Sequence, residues 1–473
     1  MASSLATRIA EEHAAAAASL PADVVSRERR RSAIDTLAIE GLPTTRDENW
    51  KYANLRPLEK VRFAPLPETA RENLAALSPV KLADLPPPIE GYARYTFVDG
   101  VFVPALSAAV GKDGITVTSL HTPRAAAPPG SSPASSSTTA AAIAVSATSA
   151  AQVRPPGTPA RVSVGAPAKN DARFAILNDA FATDGASIHV APGTDCPSCI
   201  ELVFVAQVES QTASSYPRVE LHVESGARVG LIERHVSVGT GANFVNASVR
   251  VDIARGATVN HYLVQESGAK AVWFNTLSAI LAQDAIYKFH GVNVGGLSAR
   301  STINVQLAGE RADASISMAS LGDRQQIQDA FVLTEHVAPR AHSTQTFRGI
   351  AAGRARVAFN GMVVVRKDAQ GTDSQQSLRG LLAGPDAEID VRPQLEIYTD
   401  DVRCAHGATA GKLDDNMLFY LLSRGIDAAT AQRLLKWAFL EDVVSKIEVP
   451  ELRRQIERSL AGQMQDAALK ELF

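Results

Sequence analysis

Between Ala227 and Ala387 the chain keeps returning to a turn residue and an alanine, followed by an alternating strand. The copies are GARV at Ala227, GATV at Ala257, DAIY at Ala285, DASI at Ala314 and RAHS at Ala341. Their intervals are 257−227=30, 285−257=28, 314−285=29 and 341−314=27. Two later copies, RARV at Ala355 and DAEI at Ala387, lie 387−355=32 apart. The segments between them, such as RVELHVES, ASVRVDIARG, STINVQLAG and ARVAFNGMVVVR, alternate apolar and polar side chains as half-buried strands do. A period near 30 in a strand-only stretch predicts a β-solenoid, each coil stacked on the one before. A large β-sandwich with turn-separated strands is the alternative this pattern leaves open.

The repeat region divides the chain. Residues 1–123 read as helical and mixed, with a helix over Val24–Leu37 broken by TTRDENWKYANLRPL. Residues 124–160 are a low-complexity run of Ala, Ser, Thr and Pro that holds too little apolar surface to offset chain entropy, and a flexible insertion is expected. Residues 161–412 form the β core, with strands throughout 170–403. Residues 413–473 are helical: Asp414 caps one helix, Gly425 follows it, and Asp427 caps the next. The stripe Ala431, Leu434, Leu435, Ala438, Phe439 and Val443 is expected to dock on the solenoid end, and Pro450 to open a third helix carrying Leu452 and Ile456.

Several function classes fall away. With 47 basic and 50 acidic residues the net charge is −3, which supplies no basic surface for nucleic acid. No run approaches the ~18 apolar residues of a membrane span. Three cysteines in 473 residues fit a reducing, cytoplasmic setting and argue against a disulfide framework. Aromatics at 5% disfavour a polysaccharide-binding groove. No phosphate loop, HExxH or GxSxG occurs, so the chain is read as a non-enzyme without ATPase activity of its own. Gly295-Gly296 reads as a turn. Cys196-Pro197-Ser198-Cys199 has no helix to lower a thiol pKa and no second pair to complete a zinc site, so it reads as a structural turn. His222, His235, His261 and His290 fall in strands and are expected to be satisfied or surface residues. Glu335, His336, His342 and Arg348 form a polar cluster in sequence.

Cys404 and His406 stand apart. If a strand runs through them, residues two apart share a face. An imidazole there can stabilise the thiolate, the reactive and metal-binding form of cysteine. A buried free cysteine beside a capping histidine fits the spacing equally well.

The stretch DDVRCAHGATAGKLDDNMLFYLLSRGI, which holds both residues, closely resembles the C-terminal signature of the SufB/SufD family of the SUF iron–sulfur cluster assembly machinery. ENWKYANLRPL, RFAILNDAFATDGASIHVAPG and the run from Phe347 through Ile397 resemble other family segments. The form CAHGAT is that of the SufD branch, with Ala405 where serine is usual. The resemblance implies a right-handed parallel β-helix core between helical N- and C-terminal parts. It also implies a non-ATPase scaffold that shares a cluster-assembly interface with SufB and holds the ATPase SufC through its C-terminal helices. His406, with Cys404 as its neighbour, would sit at that interface, both of them metal ligands shared with the partner chain. A transient iron–sulfur cluster shared with SufB is expected, with none tightly bound to the isolated chain. Four thiolates commonly hold a cluster, and three cysteines cannot supply them. The rival readings are a β-helix polysaccharide-active enzyme and a structural homodimer without cluster chemistry; a homodimer is also a state open to the isolated chain.

Overall fold

The computed structural model describes residues 4–121, 171–208 and 214–464, and the insertion expected over 124–160 lies outside them. From Ala186 onward, strands go alternately to two sheets. The first sheet stacks Asp195–Val208, Arg228–Gly239, Thr258–Ser267, Ile286–Gly295, Asp313–Gly322, His342–Ala351, Thr372–Leu382 and Val402–Gly411. The second stacks Ala186–Val190, Arg218–Val223, Phe244–Ile253, Val272–Leu281, Ser298–Leu307, Ile327–His336, Arg356–Val365 and Glu388–Ile397. Neighbours within each stack are parallel, one coil apart. This is the parallel β-solenoid that the period predicted, in about eight coils, and it excludes the sandwich.

The corner alanines explain the repeat. Ala227, Ala257, Ala285, Ala312 and Ala341 are all buried, stacked where the chain turns into the first sheet. Asp313 pairs with Ile286 and with His342, so Ala312 and not Ala314 occupies this ladder. The corner intervals become 312−285=27 and 341−312=29. Ala355 and Ala387 belong to the other corner, ahead of Arg356 and Glu388 in the second sheet. The residue before each corner alanine takes a left-handed conformation: Gly226, Gly256, Asp284, Arg311 and Arg340. That conformation is unfavourable for a side-chain-bearing residue. Here each N–H donates to the next coil, as Asp284 N does to Glu310 O at 3.0 Å and Arg340 N to Gln370 O at 2.7 Å.

Both outer faces of the solenoid are covered. Against the second sheet, Trp50, Phe63, Phe174 and Phe181 pack on Phe244, Val272 and Phe274. The helix Arg173–Phe181 differs from the strand-only expectation for 170–403. Its apolar residues Phe174, Leu177 and Phe181 fall on one helical face over the sheet, and Asn178 Nδ2 donates to the carbonyls of Pro217 and Asn246 at 3.0 and 2.8 Å. Trp50 is held from both sides. Its indole N–H donates to Asp171 at 3.0 Å, and the Arg300 guanidinium lies 4.2 Å from its ring centroid.

Against the first sheet, helices Ala428–Val444 and Pro450–Gln463 bury Leu440, Val443, Val444, Leu452, Ile456 and Leu460 on Ile232, Tyr262, Val292 and Ile350. The helices lie on this sheet face rather than on the expected solenoid end, and the expected stripe is rotated: Ala431 and Val443 are buried, but Ala438 is exposed, and Leu440 and Val444 complete the contact. The docking face follows the sheet beneath it rather than the helix's own pattern. The caps are as expected, with Asp414 accepting from the N–H groups of Asn416 and Met417, and Asp427 from that of Thr430.

Cys196 and Cys199 are disulfide-bonded, at a bulge where Asp195–Val208 shifts register against Arg228–Gly239. The structural turn expected at Cys196–Cys199 is there, and the expectation of a chain without disulfides is corrected by this one local bond. The bulge carries Pro197-Ser198 outward and brings the two sulfurs together.

The ends of the stack differ. At the first coil, Ala93–Val98 adds a parallel strand to Asp195–Val208, and Ile115–Ser119 adds an antiparallel one to Ala186–Val190. At the last coil, Val402–Gly411 and Glu388–Ile397 each close their sheet with an edge that is unpaired among the described residues.

Candidate functional site

Cys404 and His406 lie on the strand at this open end. Val402–Gly411 stacks on Thr372–Leu382 so that Cys404 pairs with Ser374 and His406 with Gln376. Residues paired in a parallel ladder leave the sheet on the same face. Ser374 and Gln376 are buried between the two sheets, so Cys404 and His406 stand on the interior face of the last coil formed by the described residues. They share that face as the two-residue spacing predicted, about 6.6 Å apart along the strand.

Their surroundings differ. Cys404 is half-buried against Leu395 and a small cluster of Val363, Val365 and Ala369. Burial, and then the charge of Asp373, push its thiol above the usual range against a backbone hydrogen bond at Ser374. Cys404 is therefore a thiol in the isolated chain at neutral pH, and a cation brought to it would favour the thiolate. His406 is exposed. Together they supply one sulfur and one nitrogen donor at an edge. Among the described residues no group of three or more His, Cys, Asp or Glu side chains is placed to hold a metal ion.

A hydrogen-bonded polar column leads inward from the pair. Ser374 Oγ lies 2.8 Å from Ser343 Oγ, which lies 2.8 Å from His336 Nε2. Sequence reasoning missed Ser374 and Gln376. The signal was the period itself, since 404−374 and 406−376 both equal 30.

The other histidines separate. His235 and His261 are buried on Glu233, at 2.6 and 3.3 Å, with Tyr287 OH 3.0 Å from His261 Nδ1. Burial alone would raise Glu233, but hydrogen bonds from the two imidazoles prevail and hold it at about 2. His290 is buried and pushed down to about 4 by desolvation. His222 is a surface partner of Asp252 at 3.1 Å. The polar cluster expected around Glu335 does not form. His336 points inward, Glu335 accepts from Arg366 at 2.6 Å, His342 lies 3.3 Å from Asp313, and Arg348 pairs with Asp442 at 2.5 Å. Consecutive strand residues face opposite sides, so neighbours in sequence part company.

Beside the open end, the helix Asp415–Ser423 buries none of its residues. Met417, Phe419, Tyr420 and Leu422 are 59%, 72%, 56% and 39% exposed, and on the last coil Ile397 and Tyr398 are exposed as well. Four exposed large apolar side chains on one short helix mark an interaction surface. Among the described residues no helix is long and apolar enough to cross a membrane.

Comparison with known proteins gives this geometry a context. The family model for the SUF system FeS cluster assembly SufBD core domain matches residues 204–439. The iron-sulfur cluster assembly protein SufD of Escherichia coli K12 is 30% identical over 88% of this chain and 88% of its own length. An iron-sulfur cluster assembly SufBD family protein of Synechocystis is 24% identical over 93% of this chain and 91% of its own length.

Proposed function

The chain belongs to the SufBD family of the SUF system for iron–sulfur cluster assembly, and from that premise we propose that it is the non-ATPase scaffold that pairs with SufB at its open end and holds SufC on its exposed C-terminal helix. The asymmetry of the solenoid carries this reading: one end is capped by its own chain, while the other ends on a ten-residue edge. That edge has no proline and consists mostly of small residues, which leaves it suited to accept another strand. The neighbouring edge, Glu388–Ile397, carries Pro393 and several charges.

Pairing at Val402–Gly411 would bring a second chain's donors over Cys404 and His406. Each protein then contributes part of a ligand set, and the cluster is cargo of the joint site. His406 presents an exposed nitrogen, and Cys404 presents a thiol that becomes a ligand once a cation offsets its desolvation. The helix Asp415–Ser423 lies next in the chain, so an ATPase bound to Phe419 and Tyr420 would sit beside the edge.

The test is His406→Ala in the chain co-expressed with SufB and SufC. The complex should assemble while its iron and acid-labile sulfide fall to near background. Unchanged iron and sulfide would sink the assignment. Cys404→Ser should lose less, because a hydroxyl keeps some of the hydrogen bonding; a loss as large as that of His406→Ala would make Cys404 a direct ligand.

A further inference from the structure

Gln376 lies directly beneath His406, one coil in, and is only 4% exposed. Its amide orientation follows from its partners. Gln376 Nε2 donates to Gly361 O at 2.9 Å and to Gln345 Oε1 at 2.9 Å. Gln345 Nε2 in turn donates to Thr334 Oγ1 at 2.9 Å and Met362 O at 3.4 Å. A backbone carbonyl can only accept, so Gly361 and Met362 of the opposing sheet set both amides in one direction. The ladder therefore ends on an acceptor: Gln376 Oε1 is buried without a partner. An orphaned buried carbonyl oxygen is costly, and the next rung outward is His406. Gly361 makes room for the ladder, since a Cβ there would collide with Gln345 Oε1 and lie 3.0 Å from Gln376 Nε2.

We propose that Gln376 is the positioning residue for His406: the exposed ring turns onto the orphaned oxygen, which then accepts one ring N–H and leaves the other ring nitrogen, lone pair free, toward the open edge. A neutral imidazole carries one N–H, so fixing the donor nitrogen fixes the tautomer and names the ligating nitrogen. The purpose of this arrangement rests on the reading of His406 as a ligand; the tautomer itself does not.

The experiment uses the full chain labelled with ¹⁵N-histidine, with His406→Ala identifying the His406 signals in two-bond ¹⁵N–¹H spectra at a pH where the ring is neutral. The wild-type ring should show a single tautomer, with well-separated protonated and unprotonated nitrogens. Gln376→Met, which fills the space without an acceptor, should collapse them to the averaged pattern of a free imidazole. Gly361→Ala should do the same with Gln376 still present, and Gln376→Glu, which keeps an acceptor, should restore the single tautomer. An averaged wild-type ring overturns the proposal, as does a Gln376→Met spectrum identical to wild type. The wild-type result needs only His406→Ala to fold, and that side chain is exposed. In the complex with SufB and SufC, Gln376→Met should weaken iron retention about tenfold or more. If His406→Ala leaves iron unchanged, the site reading fails whatever the tautomer. If His406→Ala removes iron while Gln376→Met leaves the tautomer fixed, the role of Gln376 fails alone.

Discussion

A side chain inside a stacked coil has neighbours along the strand and others one coil above and below, and the second set decides its chemistry. His336 shows this. Nothing near it in sequence marks it as interior, yet burial pushes it down to about 4, followed by a smaller effect of His342. The folded value lies below the 6.5 of an unfolded histidine, so protonation favours unfolding. The stability from neutral, buried His336 is complete above pH 6.5 and is lost as the pH falls from there through 4. The shift corresponds to about 3 kcal/mol. His336→Gln should narrow its stability gap to wild type by about that amount between pH 7.5 and pH 4, read from denaturant midpoints at each pH. A constant gap would place His336 in contact with water. Cys404 and His406 were legible as a pair because their relation is local. Ser374 and Gln376 were not, because each meets its partner only after 30 residues of chain have wound back.

The edge strand is a unit with its own rule. In this ladder alternate residues point their N–H and C=O groups to the coil before, as Asp373 N does toward Ala341 O. Carried to the last coil, the alternation leaves the even-numbered residues of Val402–Gly411 with their backbone groups facing outward. The second sheet supports this: Glu388 N donates back to Ala355 O, which puts Pro393, five residues on, at an outward position where no N–H is missed. Ala408→Pro should therefore remove an outward donor and leave the solenoid's own ladder intact. Association with SufB should be lost in co-purification while the circular dichroism and melting temperature of the chain alone stay near wild type. Retained association would move the interface elsewhere. Helix limits were readable from Asp414, Gly425 and Asp427, because caps are local hydrogen bonds. The buried face of Ala428–Val444 was not, because Leu440 and Val444 are selected by the sheet they meet.

At the scale of the molecule, the C-terminal helices cover the first sheet and also carry the exposed helix Asp415–Ser423. Truncation after Asp414 would remove the ATPase-binding helix we propose and also uncover Ile232, Tyr262, Val292 and Ile350. The truncated chain should aggregate or melt well below the full chain, by light scattering and calorimetry. Phe419→Asp is the cleaner probe, since that side chain is 72% exposed. It should abolish SufC binding in a pull-down and leave the melting temperature unchanged; a bound ATPase would relocate its site. By itself the sequence determined the solenoid, because a coil repeats the same corner and the same alternation every 27 to 32 residues, and local chemistry suffices to write that pattern. It also placed Cys404 and His406 on one strand. Only the tertiary structure decided which end of the stack stays open, that Gln376 lies under His406, and which helix remains uncovered. Those relations depend on how many coils precede a strand and on what the rest of the chain has already covered, and neither is carried by any local stretch of residues.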